Sequence, residues 1–383
     1  VIPGVAEGET MARILVVTWD GGGNVPPMLG IAACLLARGH AVRVLGHPQQ
    51  AAAVAADGLE FVAYRHAPAW APRQRVPGLR WTVGMLGLFL GTGHGRDVAA
   101  ELEGPGSPDL VLVDCMRLAA LRTALRAGMP TVALVHTFHR YVARTWARGP
   151  VGMLATVRGL RPAALWDHCT RVLVASDGEL DPGGTGRLPA NVRYVGPVLP
   201  PAGAGRRGGR PTVLVSLSTI FYPAQATVLA TILDALTGLD VHVVVATGPG
   251  VDPTGLPGGP DIEIHQHVPH DEVLPVASLV IGHGGHSTTM RALAHDVPLI
   301  VVPLDRNLDH AMIGHAVARA GAGAIVPTTV SVDRLRAVVR RMLDDPAPHA
   351  AAARIGARLR AHPGAERAAD EIEAVLPARS ADR

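Results

Sequence analysis

The sequence predicts an α/β chain of two doubly wound parallel sheets that face each other across a cleft. Three observations predict it. Short apolar runs of strand length alternate with helix-period segments. The alternation stops once, at a stretch rich in proline and glycine, and then restarts. The chain's 383 residues exceed one ordinary domain but suit two of roughly 100 to 200 residues each, and 48% hydrophobic against 17% charged residues can fill two cores.

Residues 1–11 lack the charged-then-apolar order of a signal peptide and read as a loose extension, with structure beginning near Ala12. The first unit, residues 12–197, opens with the strand Ile14 to Val17 and the turn Trp19-Asp20-Gly21-Gly22-Gly23-Asn24-Val25-Pro26-Pro27. A helix-period run from Met28 to Ala37 follows and ends at Arg38-Gly39-His40, where Ala41 to Leu45 begins the next strand. Leu110 to Val113, Val132 to Val135 and Val172 to Ala175 continue the sheet. In residues 198–211 prolines, glycines and three arginines replace the apolar periodicity, which marks a linker. The second unit, residues 212–362, takes its strands from Val213 to Leu217, Val241 to Ala246, Leu279 to Ile281, Leu299 to Val302 and Ala324 to Val326. Residues 363–383 hold one more helix, Ala365 to Leu376, and a tail. Ligands of open α/β sheets bind beyond the carboxyl ends of the strands, so two such sheets define a cleft between units.

Composition excludes several functions. The net charge is +3 with scattered arginines and 3% aromatic residues, so the basic stripes with interleaved stacking residues of a nucleic-acid binder are missing. All 35 basic residues are arginine, which excludes a Schiff-base lysine and a lysine-dependent phosphate loop. The Ala, Gly, Pro and Arg excess points to a high-GC, actinobacterial type of genome. Cys34, Cys115 and Cys169 lie far apart in apolar segments and are expected as buried thiols in a reducing cytoplasm. No apolar run approaches the roughly 20 residues that span a bilayer. Gly21-Gly22-Gly23 lacks the G-x-G-x-x-G spacing of a dinucleotide fold, and no acidic residue ends the second strand.

The most informative stretch is Val280-Ile281-Gly282-His283-Gly284-Gly285-His286-Ser287-Thr288-Thr289, a strand, a glycine turn and a helix start. The free amides of a helix start and the positive end of its dipole attract phosphate, and His283, His286, Ser287, Thr288 and Thr289 add side-chain donors. Gly284 and Gly285 carry no Cβ to obstruct a ligand. The competing reading is a plain N-cap by Ser287.

With Val268-Pro269 and Leu274-Pro275 before it and Asp296-Val297-Pro298 after it, this stretch resembles the donor signature of GT-B nucleotide-sugar glycosyltransferases, specifically glycosyltransferase family 1 members that tailor bacterial antibiotics and other natural products. Ser287 stands where that family prefers a third glycine. The resemblance covers nearly the whole chain from about residue 12. It implies two facing Rossmann-like domains, an acceptor in the first, a TDP- or UDP-sugar in the second, and a last helix that crosses back to the first. It also implies inverting transfer to a small-molecule aglycone, hexosyl type, with the nucleotide sugar as co-substrate and no metal or other cofactor. A homodimer stays open.

The family's general base is a histidine in a Gly-His-x-x-Pro turn, and here Asn24 occupies its place. A neutral amide cannot take a proton near neutral pH. The replacement candidates are Asp114, at the end of its strand where relatives place the aspartate that orients the histidine, then Asp20, His136 and His139. Each has a plain alternative as a helix cap or a satisfied loop residue.

The resemblance carries further contacts over with less specificity. Ser218 and Thr219 match a hydroxyl near the phosphates, His267 and Val268 the place against the nucleobase, and Asp309 and His310 the sugar-contacting pair, with Asp305 as the runner-up. Gly23, Trp81, Met85 and His139 are the candidate acceptor wall, the apolar segment Leu79 to Leu90 being explained nearly as well by a core helix. Two other readings compete: a catalytically silent relative that activates a partner, suggested by Asn24, and a nucleotide-sugar epimerase of the same fold. Sugar, nucleobase, acceptor and linkage type are not encoded in these motifs.

Overall fold

The structure, a computed structural model, describes residues 11–70, 78–203 and 208–377. The extension predicted for 1–11 falls almost wholly outside the described residues, as do the side chains of 78–82.

The first sheet is built from β1 (Arg13–Val17), β2 (Ala41–Gly46), β3 (Glu60–Ala63), β4 (Leu110–Asp114), β5 (Thr131–Val135), β6 (Arg171–Val174) and β7 (Val192–Tyr194), in the order β3-β2-β1-β4-β5-β6-β7. The second is built from β8 (Thr212–Ser216), β9 (His242–Ala246), β10 (Ile262–His265), β11 (Ala277–Gly282), β12 (Leu299–Val301) and β13 (Gly323–Ile325), in the order β10-β9-β8-β11-β12-β13. Every pairing within the two sheets is parallel. Parallel sheets are covered by helices on both faces, which is why β4 and β5 are buried at every position rather than alternately. These are the short continuous apolar runs visible in the sequence. Edge strands β3, β7 and β10 were not expected; they are short and only half-buried, so their pattern is not that of a buried strand.

Strand order reverses between β1 and β4 in the first sheet and between β8 and β11 in the second. At such a switch point the following loops diverge to opposite faces and leave a crevice. Four segments therefore converge: Trp19 to Asn24 after β1, Asp114 at the end of β4, Ser218 and Thr219 after β8, and His283 to Ser287 after β11. Gly22 (φ 77°) and Gly23 of the first half lie against Thr219 and Ser287 of the second.

One buried apolar cluster runs from Val113 and Val135 of the first sheet to Leu214 and Met290 of the second, so the halves share packed surface. The last helix, Gly364–Glu373, packs Ala368, Ala369 and Ile372 into the core of the first half beside Ile14 and Met28. Arg38 holds it there through Asp370 (2.8 Å) and Glu373 (2.7 Å), with His40 3.1 Å from Glu373. Asp296 adopts the left-handed conformation (φ 62°). Aspartate tolerates that region better than most residues, and Arg360 donates to its carboxylate at 2.7 Å.

Candidate active site

β11 ends at Gly282, and the helix His286–Ala294 begins after only His283, Gly284 and Gly285. Gly285 is the N-cap, no side chain caps the helix, and its first internal bond is Thr289 N to Gly285 O at 3.0 Å. Ser287 lies inside the helix and does not cap it, so the amides of the first turn face the crevice without a side-chain acceptor. The glycines have an internal reason as well as an open face. A Cβ on Gly284 (φ 88°) would sit 2.7 Å from the His310 carbonyl oxygen, and one on Gly285 would sit 2.7 Å from the His283 ring.

The His283 ring stands edge-on to His310 with centroids 4.6 Å apart, and Tyr222 closes on both. Burial, with the His310 charge second, pushes the His283 imidazole well below its ordinary range, so it offers a hydrogen bond rather than a positive charge. Around this turn the expected contacts separate. Ser218 Oγ accepts from the Ile220 amide at 3.0 Å, a local turn, while Thr219 is exposed toward the first half. Val268 is buried and His267 exposed. Asp305 accepts from the Asn307 amide at 2.8 Å in its own turn. His310 is buried, its Nδ1 without a partner, against His283.

In the first half Asn24 is almost wholly buried and uses both ends of its amide. Oδ1 accepts from Gly21 N at 2.9 Å, and Nδ2 donates to the Trp19 carbonyl at 2.9 Å and to Asp114 Oδ2 at 3.1 Å. Asp114 is fully buried and also accepts from the Met116 amide at 2.9 Å. Its carboxylate is therefore closed off from the crevice. His136 lies across it, Nδ1 3.1 Å from Asp114 Oδ2 and short of full hydrogen-bond alignment, with its side chain 13% exposed. Burial alone would push the Asp114 carboxyl up; the charge and contact of His136, then Arg117 and the Met116 amide, outweigh it and hold the carboxyl below its usual range. Asp20 is buried beside this group, its carbonyl accepting from Trp70 Nε1 at 2.6 Å.

One residue here went unnoticed in the sequence. Arg117 is a fully buried cation whose Nη1 donates to Leu88 O at 2.7 Å and whose guanidinium lies 4.6 Å over Trp19 and 5.0 Å over Phe89. Burial pushes it down to about 10. The Cys115 thiol lies within 4.8 Å of the Asp114 and His136 ligand atoms, but burial pushes it far up. A protonated thiol beside a carboxylate that already has donors on both oxygens is a hydrogen-bonded cluster, not a prepared metal site. The three cysteines are free, as expected, although Cys34 is only half-buried.

The halves meet directly over these groups. His286 Nε2 lies 2.8 Å from Ser176 Oγ, and its ring stands edge-on to Phe138. Burial, with His136 second, pushes His286 down to about 3. Thr137 Oγ1 donates to Asp309 Oδ2, and Tyr141 Oη donates to the Asn307 carbonyl at 3.1 Å. Arg358 pairs with Asp177 through two bonds of 2.8 and 3.1 Å. Thr137 and Ser176 follow β5 and β6, and that strand-end position was the signal by which they were readable.

Of the expected acceptor wall, Gly23 lies at the crevice and Met85 is a half-buried member of the helix Gly78–Leu90. Trp81 belongs to that helix, its side chain outside the described residues. His139 does not join the group. Its amide donates to Asp181, and its side chain lines a separate cavity of about 100 Å³ with Val142, Trp166 and Asn191, because the chain turns away from the crevice after Phe138.

Comparison with known proteins bears on the fold and the kind of enzyme. Residues 230–375 match the family described as erythromycin biosynthesis protein CIII-like, C-terminal domain. Over its length the chain is similar to 4'-demethylrebeccamycin synthase of Lentzea aerocolonigenes, 26% identical across 95% of this chain and 100% of that protein. It is 29% identical to oleandomycin glycosyltransferase of Streptomyces antibioticus, across 97% of this chain and 92% of that one. The solved glycotransferase of kitacinnamycin superposes with a TM-score of 0.80 at 27% identity, covering 96% of this chain and 100% of that chain. Over nearly its whole length the chain is similar to bacterial natural-product glycosyltransferases of the GT-B fold.

Proposed function

We propose that this glycosyltransferase moves a sugar, deoxy or fully hydroxylated, from a TDP- or UDP-sugar to a small natural-product aglycone, with inversion and without a metal. The observation that carries the reading is the uncapped start of the helix His286–Ala294 facing Gly22 and Gly23 of the other half. A diphosphate held by those amides, by the Ser287 and Thr288 hydroxyls and by His283 would have its leaving charge stabilised by fixed dipoles. The sugar would lie toward Asp309 and the base toward Val268.

The proton acceptor in this reading is His136, with Asp114 orienting it. With Nδ1 turned to Asp114, the proton sits on Nδ1 and Nε2 is left as the base, the same division of labour as in other carboxylate–imidazole pairs. Asn24 then holds the glycine turn and one oxygen of Asp114. The test is turnover of UDP- and TDP-sugars with a panel of phenolic, indolic and macrolide acceptors, read by mass spectrometry, for the wild type and His136→Ala. Glycoside formed by the wild type and lost in His136→Ala supports the assignment. Undiminished product in the variant removes His136 as base, and nucleotide binding with no product from any acceptor favours the silent-activator reading.

A further inference from the structure

We infer that Thr137 is a positioning residue for the sugar-contacting carboxylate, so that donor recognition in the second half is set by a hydroxyl of the first. The inference rests on the donor-site reading above. Thr137 directly follows His136, is 2% exposed, and donates its hydroxyl to Asp309 Oδ2. Four residues on, the Tyr141 hydroxyl donates to the Asn307 carbonyl at 3.1 Å in the same loop. Burial and then the Asp309 charge push the Tyr141 phenol far up, so it remains a donor.

The Asp309 side chain has no tie of its own to the helix it precedes, although its carbonyl accepts from Ile313 N at 2.9 Å. Asp309 is the N-cap of His310–Arg319, yet its side chain makes no cap bond. A free carboxylate there would sample several rotamers, and the half-buried Asp305 alternative is already fixed by the Asn307 amide. Thr137 selects one orientation, with Oδ2 occupied from the first half and Oδ1 left for a sugar hydroxyl. Thr137 and His136 are adjacent just after β5, so the hydroxyl that orients Asp309 and the proposed base are carried by the same strand end. A rigid second layer of this kind positions a contact without touching the ligand.

The experiment compares Thr137→Val, which keeps the shape and loses the hydroxyl, with Thr137→Ser, which keeps the hydroxyl. Calorimetry measures UDP, TDP, UDP-glucose and TDP-glucose on each, on Asp309→Asn and on the Thr137→Val/Asp309→Asn double variant; thermal melts confirm folding. The expected result is nucleotide affinity within about twofold of wild type in all variants, and nucleotide-sugar affinity weakened about tenfold by Thr137→Val, as for one lost hydrogen bond to a charged group. Thr137→Ser restores it, and the double variant is no weaker than the weaker single one. Equal weakening of nucleotide and nucleotide sugar, unchanged sugar affinity in Thr137→Val, additive losses, or a wild type that gains nothing from the sugar overturns the inference. A wild type that binds no nucleotide at all sinks the donor-site reading instead.

Discussion

The glycine turns after β1 and after β11 each follow one of the two strands at their sheet's switch point and face each other across the crevice, yet they are used in opposite ways. Around His283-Gly284-Gly285 the turn is open: the helix that follows has no side-chain cap, and its first amides face the crevice. Around Gly21-Gly22-Gly23-Asn24 the turn is closed on itself, because Asn24 satisfies Gly21, Trp19 and Asp114 from a buried position. The next helix, Val25–Ala37, also has no side-chain cap bond from Asn24, whose amide is directed inward. A contiguous segment can carry a phosphate site, whereas the proton removal proposed above would draw on groups from different strands. In the first half the end of the Asn24–Asp114–His136 group that keeps some exposure is His136, just after β5, not the residue in the turn.

The strongest way to break this comparison is to remove His136. His136→Ala is expected to lower kcat for glycoside formation by about 10²- to 10⁴-fold, the range for a positioned base, while UDP or TDP affinity stays within about twofold. A loss confined to KM would mean that His136 only lines the acceptor site. Next in size is the reverse graft, Asn24→His, which places the family's usual histidine back in the turn. It gives up buried bonds to Gly21 and Trp19, so a loss of about 1–3 kcal/mol in stability and no gain in turnover are expected from denaturant titration and kinetics. Higher turnover would show that the turn is still the place for the base.

A smaller effect concerns the buried imidazoles. Burial pushes His47 and His270 down to about 4 and His286 to about 3. Folding therefore favours their neutral forms relative to an ordinary value of about 6.5. Their contribution is complete above that pH and is lost progressively as pH falls toward about 4, where the unfolded chain binds protons that the folded chain refuses. Melting temperature should fall over that window, and His47→Leu should flatten the slope by the share of one imidazole, ~2–3 kcal/mol across it. An unchanged slope in His47→Leu would mean that His47 is not held neutral by the fold.

The sequence made the sheets legible because parallel strands buried on both faces are continuous apolar runs: β1, β4, β5, β8 and β11 are recognisable within a residue or two of their ends. Half-buried edge strands such as Glu60–Ala63 and Ile262–His265 lack that pattern. The donor turn was readable because its residues are adjacent in the chain. Asn24, Asp114 and His136 could each be suspected, but their order could not, since it depends on which side chain is sealed in and which keeps an exposed edge. His139 shows the cost of proximity in sequence: three residues beyond His136, it lines another cavity. Arg117 gave no signal, because arginine in a helix-period segment reads as solvated, and only the Trp19 and Phe89 rings around it reveal its burial.

The contrast between an open donor turn and a closed acceptor turn is tested most directly by calorimetric titration with UDP and TDP, in EDTA, of the wild type, His283→Ala and Asn24→Ala. Saturable binding of at least one nucleotide by the wild type, weakened about tenfold or more in His283→Ala and retained in Asn24→Ala, is the predicted result. No nucleotide binding by the wild type, or binding indifferent to His283 and abolished by Asn24→Ala, would contradict the account.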